Sequence, residues 1–199
     1  NSSLCFGTMQ FGDGASERDS HEMYEACRNS GINFFDTAYV YTGGKSEVIL
    51  GKLIKEDREN IILVTKAGSV GGSSGKNIRS QLEESLKRLK QDYVDVFFLH
   101  HWDDEIPLEE TFNTLRELKE EKKFFQLGVS NFSAWQVMKA KLVAQKNDFP
   151  NIDILQPMYN LVKRQAEVEI LPMAKSENIG VISYSPLGGG LLTGKYELE

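Results

Sequence analysis

The sequence predicts an α/β fold: an incomplete (β/α)8 barrel of about seven βα units, with the last strand and the C-terminal helices missing. Three observations predict it. Short apolar runs alternate with longer segments of helical period. The runs are nearly all apolar, as in a parallel sheet covered on both faces. Six successive runs end on polar residues able to do chemistry: Asp36, Lys66, His100, Ser130 with Asn131, Gln156 and Tyr184. An open doubly wound sheet gathers only a few strand ends at its switch point, whereas a barrel gathers them all on one face. Broad use of strand ends therefore selects the barrel.

The elements follow in order. Residues 4–6 form the first strand, and Gly7, Thr8 and Met9 leave it at the chemistry-bearing face. A weak helical pattern covers 19–30. The second strand, 32–35, puts Ile32, Phe34 and Asp36 on one parity, and a weak helical pattern at 45–55 follows it. The third strand, 61–65, aligns Ile62, Val64 and Lys66 in the same way. The Gly/Ser stretch 68–75 is short enough to be a βα loop. A helix over 77–90 repeats Ile78, Leu82, Leu86 and Leu89 at helical spacing. The fourth strand, 94–99, aligns Val94, Val96, Phe98 and His100. A helix over 108–121 carries Leu108, Phe112, Leu115 and Leu118. A fifth strand spans 124–129. The helix 133–145 has Ser133 as its N-cap and Trp135, Met138 and Leu142 as its apolar face. Strand six is 152–155. A helical pattern over 163–176 is interrupted by Pro172, and strand seven is 180–183. In each aligned column the terminal polar residue continues a stack of apolar side chains, as a barrel interior requires.

Composition narrows the function. The chain has 199 residues, with 23 Lys plus Arg against 29 Asp plus Glu, a net charge of −6. That balance speaks against nucleic acid, whose phosphates demand a basic face. No apolar run reaches the ~18 residues of a membrane span, and no signal peptide is visible at the start. The expectation is a cytoplasmic protein of one domain, residues 1–199. Cys5 and Cys27 lie in apolar-periodic segments and are expected to be reduced and buried.

Each polar strand end has a bland reading as well. Asp36 can cap a turn with Thr37, Lys66 can be solvated, and His100 can be a structural histidine. Together, a lysine beside a carboxylate and an imidazole is an ingredient list for shifting a neighbouring pKa. Other motifs carry less. Residues 189–195 fit G-x-x-x-x-G-K, but Tyr196 stands where Ser or Thr belongs. His100 and His101 suggest a metal, but neighbours on a strand point to opposite sides, so no metal is expected. Gly128-Val129-Ser130-Asn131-Phe132 lacks the second glycine of a hydrolase elbow.

At this point the motifs resemble a known family. Phe34-Phe35-Asp36-Thr37-Ala38-Tyr39-Val40-Tyr41, followed by Ser46-Glu47 and Leu50-Gly51, resembles the first signature of the aldo-keto reductases. Val64-Thr65-Lys66 resembles the family's lysine strand, and Tyr93-Val94-Asp95-Val96-Phe97-Phe98-Leu99-His100 its histidine strand. Gly128 to Phe132, Gln156-Pro157-Met158-Tyr159-Asn160 and Tyr184-Ser185-Pro186-Leu187-Gly188 resemble its later cofactor segments. The resemblance runs in order over essentially the whole chain.

It implies a catalytic tetrad of Asp36, Tyr41, Lys66 and His100. The pattern Asp-Thr-Ala-x-x-Tyr selects Tyr41 over Tyr39 as general acid. An unperturbed phenol, pKa about 10, is a sluggish acid near neutrality. Lys66 is expected to lower that pKa, Asp36 to hold Lys66 ionised, and His100 to position the carbonyl oxygen or relay the proton. The cofactor implied is NADPH or NADP, with NADH left open. Ser130, Asn131 and Gln156 are assigned to the carboxamide and Tyr184 to the ring, while Ser185, Leu187 and Gly189 pass near the pyrophosphate, and Gly7, Thr8, Met9 and Asp36 are expected to border the cofactor as well. The substrate is a small-molecule aldehyde or ketone.

The chain departs from the family in length, since a full barrel needs ~250 residues. The absent eighth strand and helices would carry the basic residues that grip the adenosine phosphate, and the hairpin closing the barrel bottom is absent or reduced. The first and seventh strands are expected to be open edges able to self-associate. Two alternatives accompany the reductase reading: a non-catalytic nicotinamide-binding regulatory subunit resembling potassium-channel β subunits, or an inactive reductase fragment.

Overall fold

A computed structural model describes residues 2–196. The strands are β1 (Cys5–Gly7), β2 (Phe34–Asp36), β3 (Ile62–Ala67), β4 (Val94–Leu99), β5 (Phe124–Ser130), β6 (Ile152–Gln156) and β7 (Gly180–Val181). The helices are α1 (Glu17–Asn29), α2 (Lys45–Leu53), α3 (Gly75–Leu89), α4 (Leu108–Glu120), α5 (Ala134–Asn147) and α6 (Ile170–Ser176). All seven strands pair in parallel in chain order, from β1 to β7.

The sheet curls into an incomplete barrel. One side-chain bond demonstrates the curvature. Gln156 Nε2, at the end of β6, donates to Asp36 Oδ2, at the end of β2, at 2.8 Å. Those strands are four apart in the sheet order, which in a flat sheet would separate them by about 19 Å. The concave side carries the aligned columns. Val64, Val96 and Phe98 are buried there, with Phe34, Ile62, Ile154 and Ile182 packed against them. Gly128 lies opposite Phe98, where a Cβ would stand 2.3 Å from the ring. The convex side packs against the helices through Phe35, Leu63, Phe97, Leu127 and Leu155.

Local chemistry sets the helix ends. Ser16 and Asp19 form a reciprocal capping box for α1, and Ser74 caps α3. Both helices therefore start two residues earlier than apolar periodicity alone indicates. Three expectations need correction. The helical pattern over 163–176 resolves into a 3-10 turn at Gln165–Glu167 and then α6. Pro172 sits in the first turn of α6, where its missing N–H would find no helical partner, so it marks a start and not an interruption. Strand seven is shortened to Gly180–Val181. Beyond it Ile182 N still donates to Leu155 O at 3.0 Å, but Pro157 has no N–H for Ile182 O, so the ladder is interrupted and resumes only as an isolated bridge between Met158 and Tyr184. The third correction concerns α5. It buries Ala134, Val137, Ala140 and Ala144, leaving Trp135 57% and Leu142 63% exposed. The face of small residues lets the helix lie close to its neighbours, and that outweighs the larger apolar side chains.

Cys5 is half-buried and Cys27 buried, both as free thiols. Among the described residues no helix is long and apolar enough to cross a membrane.

Candidate active site

The barrel geometry carries the ends of β2, β3, β4, β5 and β6 to one rim. Lys66, second to last in β3, points inward by strand alternation and is fully buried. Its ammonium has three donors, and three oxygens receive them: Asp36 Oδ1, the Thr37 carbonyl at 2.9 Å and the Tyr41 hydroxyl at 3.2 Å. Gln156 takes the other oxygen of Asp36. The carboxylate is thus held from two sides and the amine from three.

Tyr41 reaches this point because the chain turns sharply after it. Thr42, Gly43 and Gly44 all have positive φ, at 49°, 65° and 91°. Glycine accepts this without strain, and Thr42 offsets it by donating its hydroxyl to Phe11 O at 2.8 Å and accepting from Ser46 N at 2.9 Å. Tyr39, the rival phenol, lies over the Arg88 guanidinium at 4.5 Å, among helices and not in the site. The His100 ring meets the Tyr41 ring edge-on, with centroids 5.9 Å apart.

Electrostatics distinguish these groups. Burial favours the neutral amine of Lys66, but Asp36 and Tyr41 more than offset it, so the lysine pKa is raised and the side chain is charged. His100 is pushed down to about 3 by burial, then by Lys66 and His101. It is a neutral imidazole at physiological pH, and its Nδ1 is buried without a partner. Tyr41 corrects the sequence expectation. Lys66 does act to lower its pKa, but burial of the phenol outweighs the ammonium and Asp36 adds to it, so the net shift is upward.

The His100 and His101 rings do not point to opposite sides, as strand alternation would require. His100 lies just past the end of β4, where strand alternation no longer applies, and its ring stacks on His101 at 4.9 Å. Among the described residues no group of three or more His, Cys, Asp or Glu is placed to hold a metal ion.

The other predicted residues cluster beside this centre. Ser130 Oγ donates to the Gln156 carbonyl at 2.9 Å. Asn131, with φ at 58°, donates to the His100 carbonyl at 3.0 Å and accepts from Tyr184 Oη at 2.7 Å. Ser185 also has positive φ, its carbonyl held by Asn160 at 2.9 Å. Leu187 and Gly189 are exposed, at the start of a 3-10 turn over Gly188–Thr193. Gly7 pairs with Asp36, and Met9 is exposed at the same rim. Thr8 differs from its neighbours. It is fully buried, and its hydroxyl binds Asp36 O at 3.0 Å and Ser46 Oγ at 2.8 Å, so that side chain is spent inside the protein.

Two features escaped sequence reasoning. The Thr37 carbonyl is a ligand of Lys66, which no side-chain pattern reports. Ser46 ties Thr8 to Thr37 through a buried pair of hydroxyl contacts, both 2.8 Å. Its only sequence signal was its place in the first signature.

Comparison with known proteins defines the class. Residues 3–199 match the Aldo/keto reductase family, and the chain belongs to it. The chain is 39% identical to aflatoxin B1 aldehyde reductase member 2 of Rattus norvegicus, over 97% of this chain and 54% of the relative. It is 36% identical to an uncharacterized oxidoreductase, YrpG, of Bacillus subtilis, over 98% and 65%. It is 37% identical to a probable voltage-gated potassium channel subunit beta of Arabidopsis thaliana, over 98% and 63%. The chain therefore spans between about half and two thirds of the length of these relatives.

Proposed function

We propose that this chain carries the catalytic part of an NADP(H)-dependent carbonyl reductase, with Tyr41 as general acid in reduction and general base in the reverse direction. The observation that supports it most is the buried lysine whose three donors are divided among Asp36, the Thr37 carbonyl and the Tyr41 phenol.

The residues fit a nicotinamide. Among the described residues no donor reaches the Gln156 side-chain oxygen, leaving it to accept from a carboxamide. Asn131 and Ser130 sit beside it, and the Tyr184 ring is only partly covered. Gln156, Asn131 and Ser130 would hold the amide and Tyr184 would cover the ring; Ser185, Leu187 and Gly189 would border the phosphates. When bound, the nicotinamide supplies a hydride. Tyr41 donates its proton to the substrate oxygen as negative charge develops there. The Lys66 ammonium stabilises the phenolate left behind, and Asp36 keeps that ammonium charged and aimed. His100, being neutral, donates a hydrogen bond to the same substrate oxygen.

NADP(H) is preferred over NAD(H) on the family resemblance, and a cytoplasmic location agrees with two free thiols. A second reading, a nicotinamide-binding subunit of a channel assembly, is favoured by the plant relative. One titration series separates them. NADPH and NADH are titrated against tryptophan fluorescence, and turnover is measured over a panel of aldehydes and ketones. The expected result is saturable binding, turnover, and a loss of about 10²–10⁴-fold in kcat for Tyr41→Phe with cofactor affinity retained. Binding without any turnover would favour the regulatory reading. Undiminished turnover in Tyr41→Phe would overturn the assignment of the acid.

A further inference from the structure

A second polar network lies behind the site. Glu47, on α2, is fully buried and has no role in the proposed chemistry. Its Oε1 accepts from Thr65 Oγ1 at 2.7 Å, and its Oε2 from Arg88 Nη1 at 3.1 Å. The same Arg88 nitrogen donates to the Tyr39 carbonyl at 2.9 Å, while the guanidinium stacks on the Tyr39 ring. Gly44 leaves room for this arginine, since a Cβ there would stand 2.6 Å from the guanidinium carbon.

The sequence positions of the partners give the network its meaning. Thr65 immediately precedes Lys66 on β3. Tyr39 lies two residues before Tyr41 in the loop. One buried carboxylate is therefore tied, through one oxygen, to the residue beside the amine. Through the other oxygen and Arg88 it is tied to the segment that delivers the phenol. A carboxylate is rarely buried unless paired and hydrogen-bonded, and here both oxygens are used. A lysine in place of Arg88 would keep the charge but lose the flat guanidinium that lies on the Tyr39 ring while its Nη1 bonds both Glu47 and the Tyr39 carbonyl.

We propose that Glu47 and Arg88 are positioning residues that set the separation between the Tyr41 hydroxyl and the Lys66 ammonium. Neither touches the reacting atoms; both act through the backbone of 37–44 and through Thr65. The proposal rests on the reductase reading for its catalytic consequence, but its structural claim can be tested separately.

The test labels the protein with [13Cζ]tyrosine and follows the seven tyrosine resonances, with Tyr41 assigned by its loss in Tyr41→Phe. Glu47→Gln and Arg88→Lys are compared with Glu84→Gln, which removes only an exposed partner of Arg88. In Glu47→Gln and Arg88→Lys the Tyr41 resonance is expected to shift or split and its titration midpoint to move. Turnover should fall about 100-fold in kcat with little change in KM. Glu84→Gln should leave the Tyr41 signal in place. A Tyr41 resonance that superimposes on the parent in both network variants overturns the proposal. Where those variants lose resonance dispersion throughout, Thr65→Val, which deletes one neutral donor to Glu47, decides by the same readout. Full turnover in Tyr41→Phe would remove the reductase reading and leave the resonance as sole judge of the positioning.

Discussion

Lys66 carries the most structural consequence of any side chain in the site. It is fully buried beside a nearly buried Asp36, and removing one partner strands the other charge. Lys66→Met is expected to destabilise the fold by about 3–5 kcal/mol, measured by urea denaturation. His100 yields a pH prediction with a definite sign. Its folded-state pKa, about 3, lies below the ordinary 6.5, so the unfolded chain binds more protons between those values. Stability should therefore be fully present above about pH 6.5. It should fall by up to about 1.4 kcal/mol per pH unit as pH drops toward 3. His100→Gln should flatten that slope over pH 4–6.5 in denaturant titrations, and an unchanged slope would assign it to other groups. At this scale the sequence placed Asp36 and Lys66 in inward columns, where both are buried, because strand alternation is local. It could not weigh burial against charge at Tyr41, because burial depends on every element around the phenol.

The helices were predictable where their apolar faces carry large side chains. Helices α3 and α4 bury Ile78, Leu82, Leu86 and Leu89, and Phe112, Leu115 and Leu118, as their periodicity requires. In α5 the same rule selected the wrong face. Leu142→Ala is accordingly expected to change stability by no more than about 0.5 kcal/mol. Val137→Ala, on the small-residue face, should cost about 1.5 kcal/mol. Equal losses in denaturation midpoints would contradict the observed face. Gly51 marks another close approach, on α2. A Cβ there would stand 2.4 Å from the Leu89 carbonyl oxygen and 2.7 Å from its Cα. Because backbone cannot swing aside as a side chain can, Gly51→Ala should destabilise by about 1–3 kcal/mol.

At the scale of the molecule, the curvature of the sheet brings the ends of β2 to β6 to one rim and leaves β1 and β7 as its outer strands. Edge strands expose unpaired backbone groups and invite pairing with another chain. Val181, on β7, is 39% exposed. We propose that the chain self-associates through these edges. Sedimentation velocity should show mass rising with concentration and a shift toward monomer in Val181→Lys; a concentration-independent monomer would reject this. The sequence by itself determined the order of strands and helices, the inward columns of β2, β3 and β4 and the family, since each is written in local periodicity and motif order. Only the tertiary structure decided which α5 face is buried, that Thr8 is spent on Ser46, and that a carboxylate on α2 stands behind the Tyr41–Lys66 contact. Those outcomes depend on which surfaces meet across the curled sheet and its helices, and residues 18 to 41 positions apart, as Glu47 is from Thr65 and Arg88, leave no periodic trace in the chain.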